Sequence, residues 1–229
     1  MVLELNPSEL DNPVWSSLTG PHAALAESRP GAARYPADVC PFVGLADAGA
    51  RSSWDDLGDL IGRDGTAAVI GLRSAPEGWA IRWQIEGLQM VGPHFAGGPD
   101  SEAVALGEED VTDMLDLIER TRPGPFLPRT VTMGTYLGIR RDRKLVAMAG
   151  ERLHPAGWTE ISAVCTDDSC RGQGLGTRLV GAVTAGIRAR GEVPFLHVAG
   201  TNTGAIRLYQ TLGFTTHRAT TFSVVARGE

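Results

Sequence analysis

The sequence predicts an α/β protein built on a mixed sheet, and three observations carry that reading. Between residues 108 and 225 apolar residues recur in the order helix, three strands, helix, strand, helix, strand. A glycine-rich turn, Arg171-Gly172-Gln173-Gly174-Leu175-Gly176, joins an apolar strand to an amphipathic helix. The composition, 229 residues with 42% hydrophobic and 21% charged, supports a sizeable core and excludes disorder as the main state.

The first hundred residues are interrupted at Pro30-Gly31, Gly92-Pro93 and Gly97-Gly98-Pro99. Between the breaks we read a helix over residues 12–27, a strand over 39–45, a helix over 53–61 and strands over 66–72 and 79–90. Residues 91–105 read as a linker, which divides the chain into an amino-terminal α/β lobe, 1–105, and a second unit, 106–229.

From residue 108 the pattern sharpens. Val111, Met114, Leu115 and Ile118 recur at helical spacing, with Glu108-Glu109-Asp110 at the start and Arg120 and Arg122 at the end, charges that suit the helix dipole. Pro123-Gly124-Pro125 stops this helix. Two β-rich runs, 131–140 and 145–153, flank the polar turn Arg141-Asp142-Arg143-Lys144 as a hairpin. A strand over 158–166 leads into the glycine turn. Then come a helix over 175–190 with an apolar face of Leu175, Leu179, Val183 and Ile187, a strand over 193–199, a helix over 203–212 and a strand over 214–225.

The formal charge is −6 and unevenly spread: residues 1–105 hold 14 acidic and six basic residues, and residues 106–229 hold 13 and 15. That is not the broad basic face of a nucleic-acid binder, so a localised anionic ligand near the carboxyl-terminal end is the better expectation. If the acidic lobe lined a cleft, it would favour a cationic acceptor. No apolar run is long enough to cross a bilayer, and the opening residues MVLELNPSEL lack the pattern of a signal peptide, so no membrane partner and a cytoplasmic location are expected. Three cysteines without a C-x-x-C pair argue against a disulfide framework or a zinc site.

Glycines at the start of a helix let an anion approach free backbone N–H groups and the positive end of the dipole. A nucleotide P-loop requires a Lys after its glycines, and none follows here; a dinucleotide loop requires a later third glycine. A tight turn without a ligand remains the plainest alternative.

With a second stretch in view, the residues resemble the GNAT superfamily of acetyl-CoA-dependent N-acetyltransferases. Its [QR]-x-x-G-x-[GA] signature is matched by Arg171, Gly174 and Gly176, and its N-x-x-A-x-x-x-Y-x-x-x-G-F segment by Asn202, Ala205, Tyr209, Gly213 and Phe214. The resemblance covers residues 106–229. The Gly150-Glu151-Arg152-Leu153 region further resembles the branch that holds glycine N-acyltransferase-like proteins, and by analogy the amino-terminal lobe is a degenerate half-copy or a docked lobe extending the sheet.

The resemblance implies a GNAT acyltransferase fold, acetyl-CoA as co-substrate with no metal, and transfer of acetyl to the primary amine of a small molecule or peptide by direct attack. It implies that Val164, Cys165 and Thr166 pair their backbone with the pantetheine arm, and that Gly172, Gln173, Gly174, Leu175, Gly176 and Thr177 hold the pyrophosphate, with Arg171 and Arg178 adding charge. Asn202 and Ala205 fall at ligand positions, although Asn202 equally suits a helix cap. Tyr209 would protonate the departing thiolate. His197 stands where related peptide acetyltransferases carry a basic Glu, and an imidazole can take the amine's proton directly or through water.

Glu160 is a second base candidate, because alternation places Glu160, Ser162 and Val164 on one face, which either looks into the cleft or is solvated. Cys165 reads as strand packing. The chain is expected to be a monomer or homodimer. A second function class stays open at this point, a non-catalytic module that binds CoA or a protein partner on the same fold.

Overall fold

The computed structural model describes residues 7–228. The opening hexapeptide, part of the stretch read as lacking a signal peptide, and Glu229 lie outside the described residues. The elements are α1 (Pro13–Thr19), β1 (Glu27–Ser28), β2 (Ala32–Arg34), β3 (Val43–Leu45), α2 (Arg51–Ile61), β4 (Thr66–Ile70), β5 (Trp79–Val91), β6 (Val104–Leu106), α3 (Val111–Thr121), β7 (Tyr136–Arg141), β8 (Lys144–Glu151), β9 (Trp158–Thr166), α4 (Leu175–Ala189), β10 (Val193–Ala199), α5 (Thr203–Thr211) and β11 (Thr215–Arg227).

Local chemistry sets the element ends. Asn12 caps α1, its side chain accepting from the Trp15 N–H, with Pro13 in the first turn where no N–H is needed. Arg122 closes α3 in the left-handed region (φ 46°) just before Pro123. Asp142 and Arg143, at φ 49° and 68°, form the two-residue turn of the β7–β8 hairpin, whose twist matches the strands.

The principal sheet has eight strands in the order β4-β11-β5-β10-β9-β8-β7-β6. All neighbours are antiparallel except β9 and β10. β5 comes from the amino-terminal half, yet it lies between β10 and β11 and pairs along almost the whole of β11. The 105/106 boundary falls inside β6, which hydrogen-bonds to β7.

Both faces of the sheet are covered. On one, the apolar stripe of α4 (Leu175, Leu179, Val183, Ile187) packs on Ala147, Ile161, Leu196 and Val198. On the other, Leu10, Val14, Leu18 and Phe42 of the amino-terminal segment pack on Trp158, Val193 and Phe195. A small sheet, β1-β2-β3, joins that second layer. No helix among the described residues is long and apolar enough to cross a membrane.

Candidate active site

The site begins where two neighbouring strands part. β9 and β10 pair only over Trp158 to Glu160 against Val193 to Phe195. Beyond that point β10 continues along β5, while β9 continues along β8 with a register shift opposite Ala149. The shift coincides with Ala163 at φ 52°, a left-handed residue in mid-strand, which marks a β-bulge and turns the β9 backbone. The wedge between the strands leaves backbone N–H and C=O groups of residues 161–166 without a ladder partner on that side.

A cavity of about 560 Å³ fills this wedge. Ser162, Ala163 and Val164 line it from β9, His197 and Val198 from β10, and Asn202, Ala205 and Tyr209 from α5. Thr166 meets the start of α4, its Oγ1 lying 3.6 Å from where a Cβ on Gly176 would sit. The structure therefore brings Val164, Thr166, Gly176, Asn202, Ala205 and Tyr209 along one continuous surface. Cys165 points away, buried against the α3 side of the sheet, and burial pushes its thiol up to about 11, which suits packing and not nucleophilic attack.

The glycine loop leaves the start of α4 open. Gly172 (φ 77°) and Gly174 (φ 74°) adopt left-handed conformations, and Gly174 caps α4 with no side chain bonded across the helix start. Gly172, Gln173 and Gly174 are exposed, whereas Leu175, the first residue of α4, is buried. The flanking cations behave differently from expectation. Arg171 pairs with Asp168 at 2.7 Å. Arg178, expected to add charge to the loop, is held by Asp100 (2.6 Å) and Glu102 (2.5 Å), so its charge is already neutralised.

Tyr209 is buried among the walls of the cavity and packs on Phe214, with ring centroids 5.9 Å apart. Its hydroxyl has no hydrogen-bond partner among the described residues. Burial pushes the phenol up to about 12, which keeps it protonated and able to donate. Asn202 has the cap role read for it, Oδ1 accepting from the Ala205 N–H at 3.1 Å at the start of α5, and the residue also lines the cavity.

Glu160 corrects the alternation argument, being neither a cleft acid nor a solvated one. It is fully buried beneath the amino-terminal segment, and Arg152 grips it with two hydrogen bonds, Nε to Oε2 at 2.8 Å and Nη2 to Oε1 at 2.7 Å. Burial alone would raise its carboxyl, but the Arg152 charge and the hydrogen bonds from Arg152 and His197 outweigh that and hold it well below the usual carboxylate range. His197 Nδ1 donates to Glu160 Oε1 at 2.7 Å. Its Nε2 lies 3.1 Å from Gln89 Nε2, which donates a second hydrogen bond to the Leu10 carbonyl at 3.0 Å. The His197 side chain is 1% exposed.

The sequence reading missed Arg152 and Gln89. Arg152 sits in the Gly150 to Leu153 stretch singled out for another reason, and Gln89 carries no local signal because it reaches His197 across 108 residues.

The amino-terminal half does contribute to the cavity, but not with its acids. Pro41, Phe42, Ala68, Trp83 and Ile85 line it, and among the described residues the charged lining residues are Arg122 and Arg152, so the condition attached to a cationic acceptor is not met by them.

Comparison with known proteins places this geometry. The family model described as FR47-like protein matches residues 136–223. A solved structure of a protein from Novosphingobium aromaticivorans assigned to the GNAT family is 38% identical and superposes with a TM-score of 0.88, covering 96% of this chain and 99% of that one. The chain belongs to the GNAT family. Among curated relatives, mycothiol acetyltransferase of Thermobispora bispora is 32% identical over 182 residues, 69% of this chain and 60% of that protein. The same enzyme of Thermomonospora curvata is 36% identical over 149 residues, 62% and 46% respectively. The chain thus spans about half the length of the curated relatives it matches. In GNAT terms the mixed α/β sheet is the family fold.

Proposed function

We propose that this GNAT protein transfers an acetyl group from acetyl-CoA to a primary amine in the wedge between β9 and β10. The observation that carries the reading is the continuity of one surface, from the uncapped start of α4, past Thr166 and Val164, to the Tyr209 hydroxyl. Along it the N–H groups of residues 172–177 suit a pyrophosphate, and the unpaired β9 backbone suits an extended amide-bearing arm.

In this reading the amine nitrogen attacks the thioester carbonyl, a carbon–nitrogen bond replaces the carbon–sulfur bond, and the thiolate takes the Tyr209 proton. The amine loses one proton, which returns through water to the phenolate. The amide near Val164, beside the Ala163 bulge, is the donor this reading assigns to the developing carbonyl oxygen charge, and a fixed donor there lowers the barrier without reorganisation. Holding both reactants in one cleft supplies a further part of the rate.

Glu160 acts here as a positioning residue, since its oxygens are already occupied. His197 keeps its tautomer through Glu160, and to take a proton directly it has to release Gln89 from Nε2.

Thermal unfolding with CoA, ATP and NAD in parallel tests the ligand: CoA alone should raise Tm. Thiol release from acetyl-CoA in the presence of amines tests the transfer. Binding of CoA without thiol release from any amine would replace this reading with that of a non-catalytic module.

A further inference from the structure

Resting on the transfer reading, we infer that the acceptor is the α-amino group of an apolar or aromatic residue in amide linkage. Two independent features of the cleft point there.

The first is the wall opposite the acetyl position. Phe42, Trp83, Ile85 and Phe222 line it, with no carboxylate among the lining residues. Trp83 is 54% exposed, one of two large hydrophobic side chains so placed among the described residues. An exposed indole at the mouth of an apolar cavity is costly in water and is covered by an apolar group. The charges present are Arg122 and Arg152, of which Arg152 is already paired with Glu160 and stacks over the Phe42 ring at 4.9 Å, so the lining offers a second ammonium group no free carboxylate. Polyamines and other cationic bodies therefore fit poorly.

The second is the state of the candidate bases. Both Glu160 oxygens are hydrogen-bonded, and both His197 nitrogens are engaged beneath a surface that leaves 1% of the side chain exposed. A cleft without a free base suits an amine that is already partly neutral. An alkyl ammonium of the lysine type, with a pKa of about 10.4, is neutral at pH 7 in fewer than about one molecule in a thousand, whereas an α-amine at about 7.7–8.0 is neutral in roughly a tenth. The chemistry selects an α-amine, and the wall selects the apolar side chain next to it.

The test uses the full chain with acetyl-CoA at pH 7, reading thiol release. Phenylalaninamide and a tripeptide beginning with Phe are compared with phenethylamine, spermidine and glucosamine. Both α-amines should exceed phenethylamine in kcat/KM by about 10²-fold, the ratio of neutral amine, and both should exceed spermidine and glucosamine. A tripeptide faster than the amide identifies peptide termini as the source, and the reverse identifies small aminoacyl amides. Trp83→Ala should raise KM for phenylalaninamide about tenfold or more while the Kd for CoA stays unchanged. Faster turnover of spermidine, glucosamine or phenethylamine overturns this inference and leaves acetyl transfer standing. Thiol release from no acceptor, with CoA still bound, overturns both.

Discussion

Arg152 and Glu160 face each other across the β8–β9 connection, both buried, joined by two parallel hydrogen bonds of 2.8 and 2.7 Å. A bidentate pair of this kind is costly to break from one side, because the remaining charge stays buried without a partner. Arg152→Ala should lower unfolding free energy by about 3–5 kcal/mol, and Arg152→Met with Glu160→Leu should recover most of that. Denaturant titration of the single and double variants measures this, and a double variant no more stable than the single would show that the pair is not what the site depends on.

Tyr209 offers its hydroxyl to the cavity with no competing partner. Tyr209→Phe should lower kcat by about 10²-fold and leave CoA affinity nearly intact, as expected for loss of a proton donor. Unchanged turnover would take Tyr209 out of the mechanism.

Gly174 holds φ 74° at the start of α4. A side chain there costs about 1–2 kcal/mol, and the loop relieves the strain by turning its N–H groups. Gly174→Ala should weaken CoA binding at least tenfold by calorimetry while the protein stays folded at 25 °C. Equal affinity would place the pyrophosphate elsewhere.

His22 is buried beside Tyr35 and His154, its Nδ1 lying 2.9 Å from the Tyr35 hydroxyl. Burial first, then the charge of His154, pushes its imidazole down to about 4. Because the folded value is depressed, the contribution is fully present above the unfolded value of about 6.5 and is lost as pH falls through 4, to a maximum of about 3 kcal/mol. Unfolding free energy measured at pH 7.5 and 4.5 should therefore differ more in the parent protein than in His22→Gln. Equal differences would assign the acid sensitivity to other groups.

Much of the carboxyl-terminal half was legible because its elements are long and their apolar periods clean. The strands read at 158–166 and 193–199 match β9 and β10 to the residue, and the helix read at 175–190 exceeds α4 by one. The amino-terminal segment was harder: β1 and β2 are two and three residues long, too short for alternation to register, and the strand read over 39–45 narrows to Val43–Leu45. Within 91–105, the start of β6 is paired with β7, a contact that a three-residue strand beside Gly107 cannot announce.

In the site, glycine spacing and the Asn202 to Phe214 segment pointed to a single surface because each motif is local. Glu160 was misplaced because alternation supposes that one sheet face meets solvent or ligand, whereas Leu10, Val14 and Phe42 cover the face that Glu160 shares with Trp158.

The position of β5 bears on how the chain reaches this state. Gln89 and its partner His197 are separated by 108 residues, and β11, the other neighbour of β5, is longer delayed still during synthesis from the amino terminus. A long strand with an exposed Trp83 must wait for these partners until residues 193–227 have been made, because neither of its flanking strands exists earlier. Pairing at such separations is slow and leaves the nascent chain open to aggregation. Completion of the sheet around β5 and closure of the cavity wall that holds Trp83, Ile85 and Phe222 are thus coupled, so that a nascent chain that stops short of β10 and β11 does not carry the finished cleft.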